Sequence, residues 1–288
     1  MRVLVTGAGG QVGEALVREA TARSATRPGE ALALVACPRS VLDVSRRDAV
    51  LSAVESLQPD VVVHAAAWTA VDACEADPAR ALAVNALGTR NVADACFLLG
   101  AHLCYVSTDY VFDGLLERPY TEWDRPNPVS AYGHSKLAGE MEVPPGGTIV
   151  RTSWVCGRHG ANMAKTVLRL ASEERPLRFV DDQRGSPTVA EDLAPVLLDL
   201  ALARRRGIFH VTNAGETTWF GFARAIVAAA GLDPARVEPV STAELDPPRA
   251  ARRPPNSVLD NLARRLAGEE PLPYWEESVG RLVADLIG

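Results

Sequence analysis

The apolar run Val3-Leu4-Val5 passes through Thr6 directly into Gly7-Ala8-Gly9-Gly10-Gln11-Val12-Gly13. No other stretch of the 288 residues constrains the fold as strongly. Three spaced glycines between a strand and a helix let the helix present its free N–H groups, and the positive end of its dipole, to an anion. Gly7 permits the sharp turn, Gly10 lets a diphosphate approach the backbone, and Gly13 lets the helix pack on the strand. The alternative use of such a turn is a tight strand-to-helix connection and nothing more. Directly after a first apolar strand, the reading adopted is a dinucleotide site.

Downstream, short β-branched runs over 3–5, 31–36, 61–64, 103–107 and 148–152 alternate with helical stretches over 11–22, 46–57, 78–99 and 131–142. Strands apolar on both faces and separated by helices imply an α/β, Rossmann-like, doubly wound parallel sheet. Ligands bind beyond the carboxyl ends of such strands, so Thr6-Gly7, Ala65 to Ala67 and Ser107-Thr108 should converge on one crevice. After residue 155 the pattern loosens. Helices are expected over 161–174, 190–203, 218–230 and 275–287, with short strands over 177–180, 208–211 and 236–240. This reads as a smaller, mixed α/β substrate domain over 156–288, interleaved with a dinucleotide domain over 1–155 to which segments around 177–203 contribute.

Cofactor choice is normally made at the end of the second strand, where an acid binds ribose hydroxyls and a base accommodates a 2′-phosphate. Here Val35-Ala36-Cys37-Pro38-Arg39-Ser40 carries no acid, and Asp43 follows in Leu42-Asp43-Val44, placed to hold an adenine amine. Arg39 favours NADPH, with NADH as the alternative and a surface arginine in a loop as the other use of that residue.

The chemistry is carried by Ser130-Ala131-Tyr132-Gly133-His134-Ser135-Lys136. On a helix Tyr132 and Lys136 share a face, one turn apart. A phenol beside an ammonium should have its pKa lowered toward neutrality, which suits a proton donor and acceptor. The fourth strand ends in Ser107-Thr108-Asp109-Tyr110-Val111-Phe112-Asp113-Gly114, where Thr108 can hydrogen-bond a substrate carbonyl alongside the tyrosine. Without the tyrosine and lysine downstream, the same residues would be a serine-threonine turn closing a strand.

Together these motifs, with Ala66-Ala67-Trp68-Thr69-Ala70-Val71-Asp72 and Arg151-Thr152-Ser153-Trp154, resemble the extended short-chain dehydrogenase/reductase superfamily. Within it the whole chain resembles the dTDP-4-dehydrorhamnose reductase family, as do the stretches 180–188, 219–223 and 253–257. The resemblance implies catalytic roles for Thr108, Tyr132 and Lys136. It assigns Gly10, Gln11 and Val12 to the phosphate turn, Asp43 and Val44 to the adenine pocket, and Ala67, Trp68 and Thr69 to the segment after the third strand. Thr108, Asp109, Tyr132 and Trp154 are assigned to the substrate. The implied reaction is reduction of a dTDP-linked 4-keto-6-deoxy sugar by NAD(P)H.

The chain also departs from that pattern. Cys156 replaces a usual tyrosine, and His64 and Trp68 fill variable slots. Glu191 is a candidate for one of the paired glutamates that hold magnesium in some members, whereas Glu14 matches no second one. Magnesium, and the choice between monomer and homodimer, are left open. A dehydratase would need Glu where this chain has Tyr110. A 4-epimerase shares the tyrosine and lysine but would retain NAD. A non-catalytic subunit like the regulatory partner of methionine adenosyltransferase is the rival outside enzymes.

Composition decides what is excluded. A net charge of −6 argues against nucleic acid, and the basic clusters at 204–206 and 249–253 are short. The second cluster lies near the substrate end, where it could meet phosphate. The first strand leaves no room for a signal peptide, and no apolar run reaches the ~18 residues of a membrane span. Five scattered cysteines without a paired motif read as reduced thiols. A cytoplasmic protein with no structural metal is expected.

Overall fold

The computed structural model describes residues 1–26, 32–173 and 176–288. Five strands, β1 (Arg2–Thr6), β2 (Ala33–Cys37), β3 (Val61–His64), β4 (His102–Thr108) and β5 (Thr148–Thr152), join an edge strand, Gly207–His210, in one sheet. Its order is Gly207–His210, β5, β4, β3, β1, β2, with every pair parallel. The connection from β2 returns past β1 to β3, so the winding direction reverses between β1 and β3. Ligands of doubly wound sheets bind at that reversal.

Alternation along the strands explains why both faces are covered. Val3, Val5, Val61 and Val63 pack under α1 (Gln11–Thr26) and the helix Ala190–Leu202, whereas Leu4, Val62 and Leu103 pack under α2 (Arg47–Leu57) and the helix Gly88–Leu99. Each fully buried Val or Leu contributes about 1.5–3 kcal/mol. The Ala190–Leu202 helix runs through Pro195, although a mid-helix proline costs about 3 kcal/mol. Leu193, Leu197, Leu198 and Leu200 are all buried on its sheet face, which more than offsets that loss.

Outside the sheet, the helices Met163–Ala171, Trp219–Ala229 and Trp275–Ile287 enclose a second core around Leu177–Val180, which pairs in parallel with Val237–Val240. Asn162 caps the first helix through Lys165 N (3.0 Å) and Thr218 the second through Gly221 N (3.1 Å). These caps place the helix starts slightly later than apolar periodicity does. The ends of the expected elements at Ala31 and Glu174 lie outside the described residues. Within residues 78–99 the helix is continuous but widens into a π turn at Ala83–Leu87, and a short helix, Val71–Ala76, precedes it. Apolar spacing signalled neither. Among the described residues, no helix is long and apolar enough to cross a membrane.

Candidate active site

The glycine turn forms the floor of a long cleft. Gly7 adopts φ +68°, and a Cβ on Gly13 would stand 2.4 Å from Gly7 O and 2.5 Å from Ala8 Cα. Any side chain at Gly13 would force α1 off β1. The buried Gln11 Oε1 has no partner among the described residues, leaving an acceptor beside the helix N-terminus for a ligand's donor. A shaped turn and free N–H groups fit a dinucleotide diphosphate, and the orphaned acceptor fits a hydroxyl of an adjoining ribose.

On one side of this turn lies a cavity of about 400 Å³ lined by Gly9, Gly10, Arg39, Asp43, Val44, Trp68 and Val84. Asp43 accepts from Ser45 N (3.0 Å) and Ser45 Oγ (2.7 Å). These bonds hold its carboxyl below the ordinary range, helped by the charges of Arg39 and Arg46, so it is ionised and able to accept from an amine. Arg39 is exposed at the rim. On the other side, a cavity of about 350 Å³ brings together Gly10, Gln11, Val12, Gly13, Ala67, Thr69, Thr108, Asp109, Tyr132, Lys136 and Trp154. Every site residue expected from sequence therefore lines one half of the cleft or the other.

The wall after β3 is fixed by a residue that sequence reasoning missed. Asn85, fully buried in the π turn, accepts from Trp68 N (2.7 Å) and donates to Trp68 O (3.1 Å) and Ser135 Oγ (2.9 Å). One side chain thus ties the Ala67-Trp68 wall to the helix Ala131–Met141, which carries Tyr132 and Lys136. The signal was an asparagine inside an otherwise apolar helical run, where its propensity is poor. π turns recur at functional sites.

Ser130 Oγ caps the Ala131–Met141 helix by accepting from Gly133 N (3.2 Å). Lys136 Nζ donates to Val106 O (2.7 Å) and lies 4.0 Å from the centre of the Tyr105 ring. With no carboxylate among the described residues in contact, burial drives its pKa down to about 7, against a smaller upward pull from Glu140. Tyr132 departs from expectation: its phenol is pushed above its ordinary value rather than toward neutrality. Burial dominates there, and the ammonium of Lys136 is engaged by Val106 O and Tyr105. In this state Tyr132 carries its proton across the neutral range, as a donor must.

Thr108 lines the same cavity as Tyr132 and donates its proton to Asp109 Oδ1 (2.9 Å). Asp109 also accepts from Ser153 Oγ (3.0 Å), and burial raises its pKa to about 6. Trp154 adopts φ +44°, a strained backbone for a bulky residue. Its indole is sandwiched: a Cβ on Gly185 would lie 2.4 Å from one face, and Trp219 stacks on it at 3.6 Å and 8°. Trp154 therefore packs in the second core and lines the catalytic cavity as well.

Beyond the indoles lies a cavity of about 420 Å³ lined by Val71, Tyr110, Phe179, Trp219, Arg178, Arg249 and Arg253. Arg253 grips Asp72 with two bonds of 2.6 and 2.7 Å, which pull that carboxyl down to about 2. The basic stretch 249–253 thus faces a cavity rather than open solvent alone. Glu191 Oε1 accepts from Arg158 N (3.1 Å) while Oε2 is buried without a partner among the described residues. Among the described residues no group of three or more His, Cys, Asp or Glu is arranged around a metal position. Burial pushes the Cys156 thiol to about 12, so it is inert at neutral pH.

A doubly wound parallel sheet with a glycine-turn cleft and a Tyr–Lys–Thr cluster at its carboxyl edge defines a nicotinamide-dinucleotide oxidoreductase of the short-chain type. Over residues 1–287 the sequence matches the RmlD substrate binding domain, and the chain belongs to that family. A dTDP-4-dehydrorhamnose reductase of Streptomyces griseus is 43% identical, over 100% of this chain and 94% of that protein. A dTDP-4-keto-6-deoxy-D-glucose reductase of Streptomyces niveus is 41% identical, over 95% and 93%. The crystal structure of dTDP-4-dehydrorhamnose reductase from Bacillus anthracis in complex with NADP superposes with a TM-score of 0.91 at 38% identity, covering 99% of each chain.

Proposed function

We propose that this protein reduces the 4-keto group of a dTDP-linked 4-keto-6-deoxyhexose, using NADPH. One observation carries the reading: Tyr132, Thr108, Lys136 and Trp154 line the same cavity as the diphosphate turn. Gly10, Gln11 and Val12 hold the diphosphate, Asp43 and Val44 the adenine, and Arg39 the 2′-phosphate. The bound cofactor supplies hydride. Tyr132 gives its proton to the oxygen developing at C4, Thr108 aligns that oxygen, and Lys136 holds the nicotinamide ribose. Trp154 presents the edge of its indole to the sugar. The cavity edged by Arg178, Arg249 and Arg253 receives the nucleotide.

Residues 1–155, together with the edge strand and the helix after Val189, form the cofactor domain in this reading, and most of 156–288 forms the substrate domain. We place the protein in the cytoplasm. Glu191 is the candidate magnesium ligand, and sedimentation with and without magnesium distinguishes monomer from homodimer. A panel of dTDP-4-keto sugars assayed with NADPH and NADH tests the function; no oxidation of either cofactor with any sugar refutes it. Arg39→Ala should raise KM for NADPH and leave that for NADH alone.

A further inference from the structure

Tyr132, Lys136 and Glu140 follow one another at i, i+4 spacing along the helix Ala131–Met141, so all three lie on one stripe. The first two face the cleft. Glu140 lies a turn deeper, 6% exposed, where Arg151 of β5 grips it: Nε to Oε1 is 2.9 Å and Nη2 to Oε2 is 2.7 Å. Ser107 of β4, the register partner of Arg151, donates to the same Oε1 at 2.6 Å. The carboxylate is thus fixed by three charge-assisted bonds to two strands, with no freedom to swing away.

Such a pair is a poor device for stability alone. Two apolar residues of similar volume generally do as well or better, because two ions must be stripped of water. This pair also leaves Arg151 Nη1 buried without a partner among the described residues, a further cost. What the pair does provide is a carboxylate fixed one turn from Lys136, with its compensating guanidinium on the neighbouring strand. The groups packed around the ammonium are Val106 O and the Tyr105 ring on β4, with His64 of β3 behind them at 5.6 Å from Tyr105, and Tyr132 lines the same cavity. His64 stays neutral, both through burial and because Lys136 opposes its protonation. Asp109 faces Tyr132 through Thr108. Glu140 is the group whose charge supports the lysine.

We propose that the Glu140–Arg151 pair is a fixed electrostatic support that keeps Lys136 cationic and in place beside Tyr132, making Glu140 a positioning residue for the reaction. The proposal rests on the catalytic reading of Lys136 given above. Glu140→Gln keeps the shape and removes the charge. It should move the alkaline limb of the kcat/KM profile to lower pH by on the order of one unit, about a fivefold loss at the pH where the wild type is at half its maximum. The dissociation constant of NADPH, titrated by protein fluorescence, should rise over the same pH range.

Because Glu140→Gln leaves Arg151 unbalanced, the double variant Glu140→Leu/Arg151→Met serves as the folded comparison. Its apo-protein should melt near the wild-type midpoint and still show both shifts. A folded double variant whose alkaline limb and NADPH titration coincide with the wild type overturns the proposal. Lys136→Met, measured in parallel, separates the two layers. If it keeps wild-type turnover and pH profile, the catalytic reading of Lys136 fails. If it abolishes them while the double variant is unshifted, only the role of the pair fails.

Discussion

Replacing Asn85 with alanine should loosen the cofactor wall without touching any residue assigned to the chemistry. The side chain makes three hydrogen bonds at full burial, and the consequences differ for each partner. Trp68 N–H loses the acceptor at 2.7 Å and is stranded, a cost of about 1–3 kcal/mol for a buried donor. Trp68 O keeps a weak contact from Cys74 Sγ at 3.6 Å, and Ser135 keeps its bond to Tyr132 O at 2.8 Å. Those two losses therefore cost about 0.5–1.5 kcal/mol each. The total is about 2–6 kcal/mol, measured as the change in urea unfolding free energy. Because Trp68 and Ala67 line the two halves of the cleft, NADPH affinity should fall along with stability. Asn85→Asp is the sharper test: it is nearly isosteric, yet sets a carboxylate oxygen against Trp68 O. A loss below about 1 kcal/mol in both variants, with NADPH affinity intact, would refute the clamp.

Tyr132→Phe should lower kcat by about 10²- to 10⁴-fold with NADPH affinity nearly unchanged; a variant keeping half its turnover sinks the assignment. Trp219→Ala removes the partner stacked on Trp154 and should raise KM for the sugar nucleotide more than Trp219→Phe does, with NADPH titration unchanged in both. Stability should fall in acid. His64 and His210 are buried with pKa values near 3 against 6.5 when unfolded, so below about pH 6.5 the unfolded chain takes up protons that the native protein refuses. Each site costs about 1.4 kcal/mol per pH unit, or about 5 kcal/mol for both between pH 6.5 and 4.5. Asp109, raised to about 6, works in the opposite direction over part of that range and returns at most about 3 kcal/mol. Unfolding free energy that stays level from about pH 7 to 4.5 contradicts this balance.

What sequence could reveal depended on whether a residue's task repeats with a period or arises from one contact in space. The parallel sheet was legible because Val3, Val5, Val61 and Val63 serve one face and Leu4, Val62 and Leu103 the other, a two-sided apolar pattern with glycines at the first turn. Tyr132 and Lys136 were legible because i, i+4 spacing survives any detail of packing. The charge state of that pair was not. Spacing alone suggests that the ammonium acidifies the phenol, yet Lys136 turns to Val106 O and the Tyr105 ring, and burial then governs both groups. Asn85 was hidden for a related reason. Its three partners lie 17 and 50 residues away, and they are brought within reach by a π turn that no apolar period encodes. Trp154 shows the limit from the other side. Its place at the end of β5 points to the cleft, but the sandwich between Gly185 and Trp219 is formed by segments 31 and 65 residues downstream. A tryptophan held on both faces can present only its edge to a ligand, so its contact with a sugar is set by those two neighbours as much as by its own position in the chain.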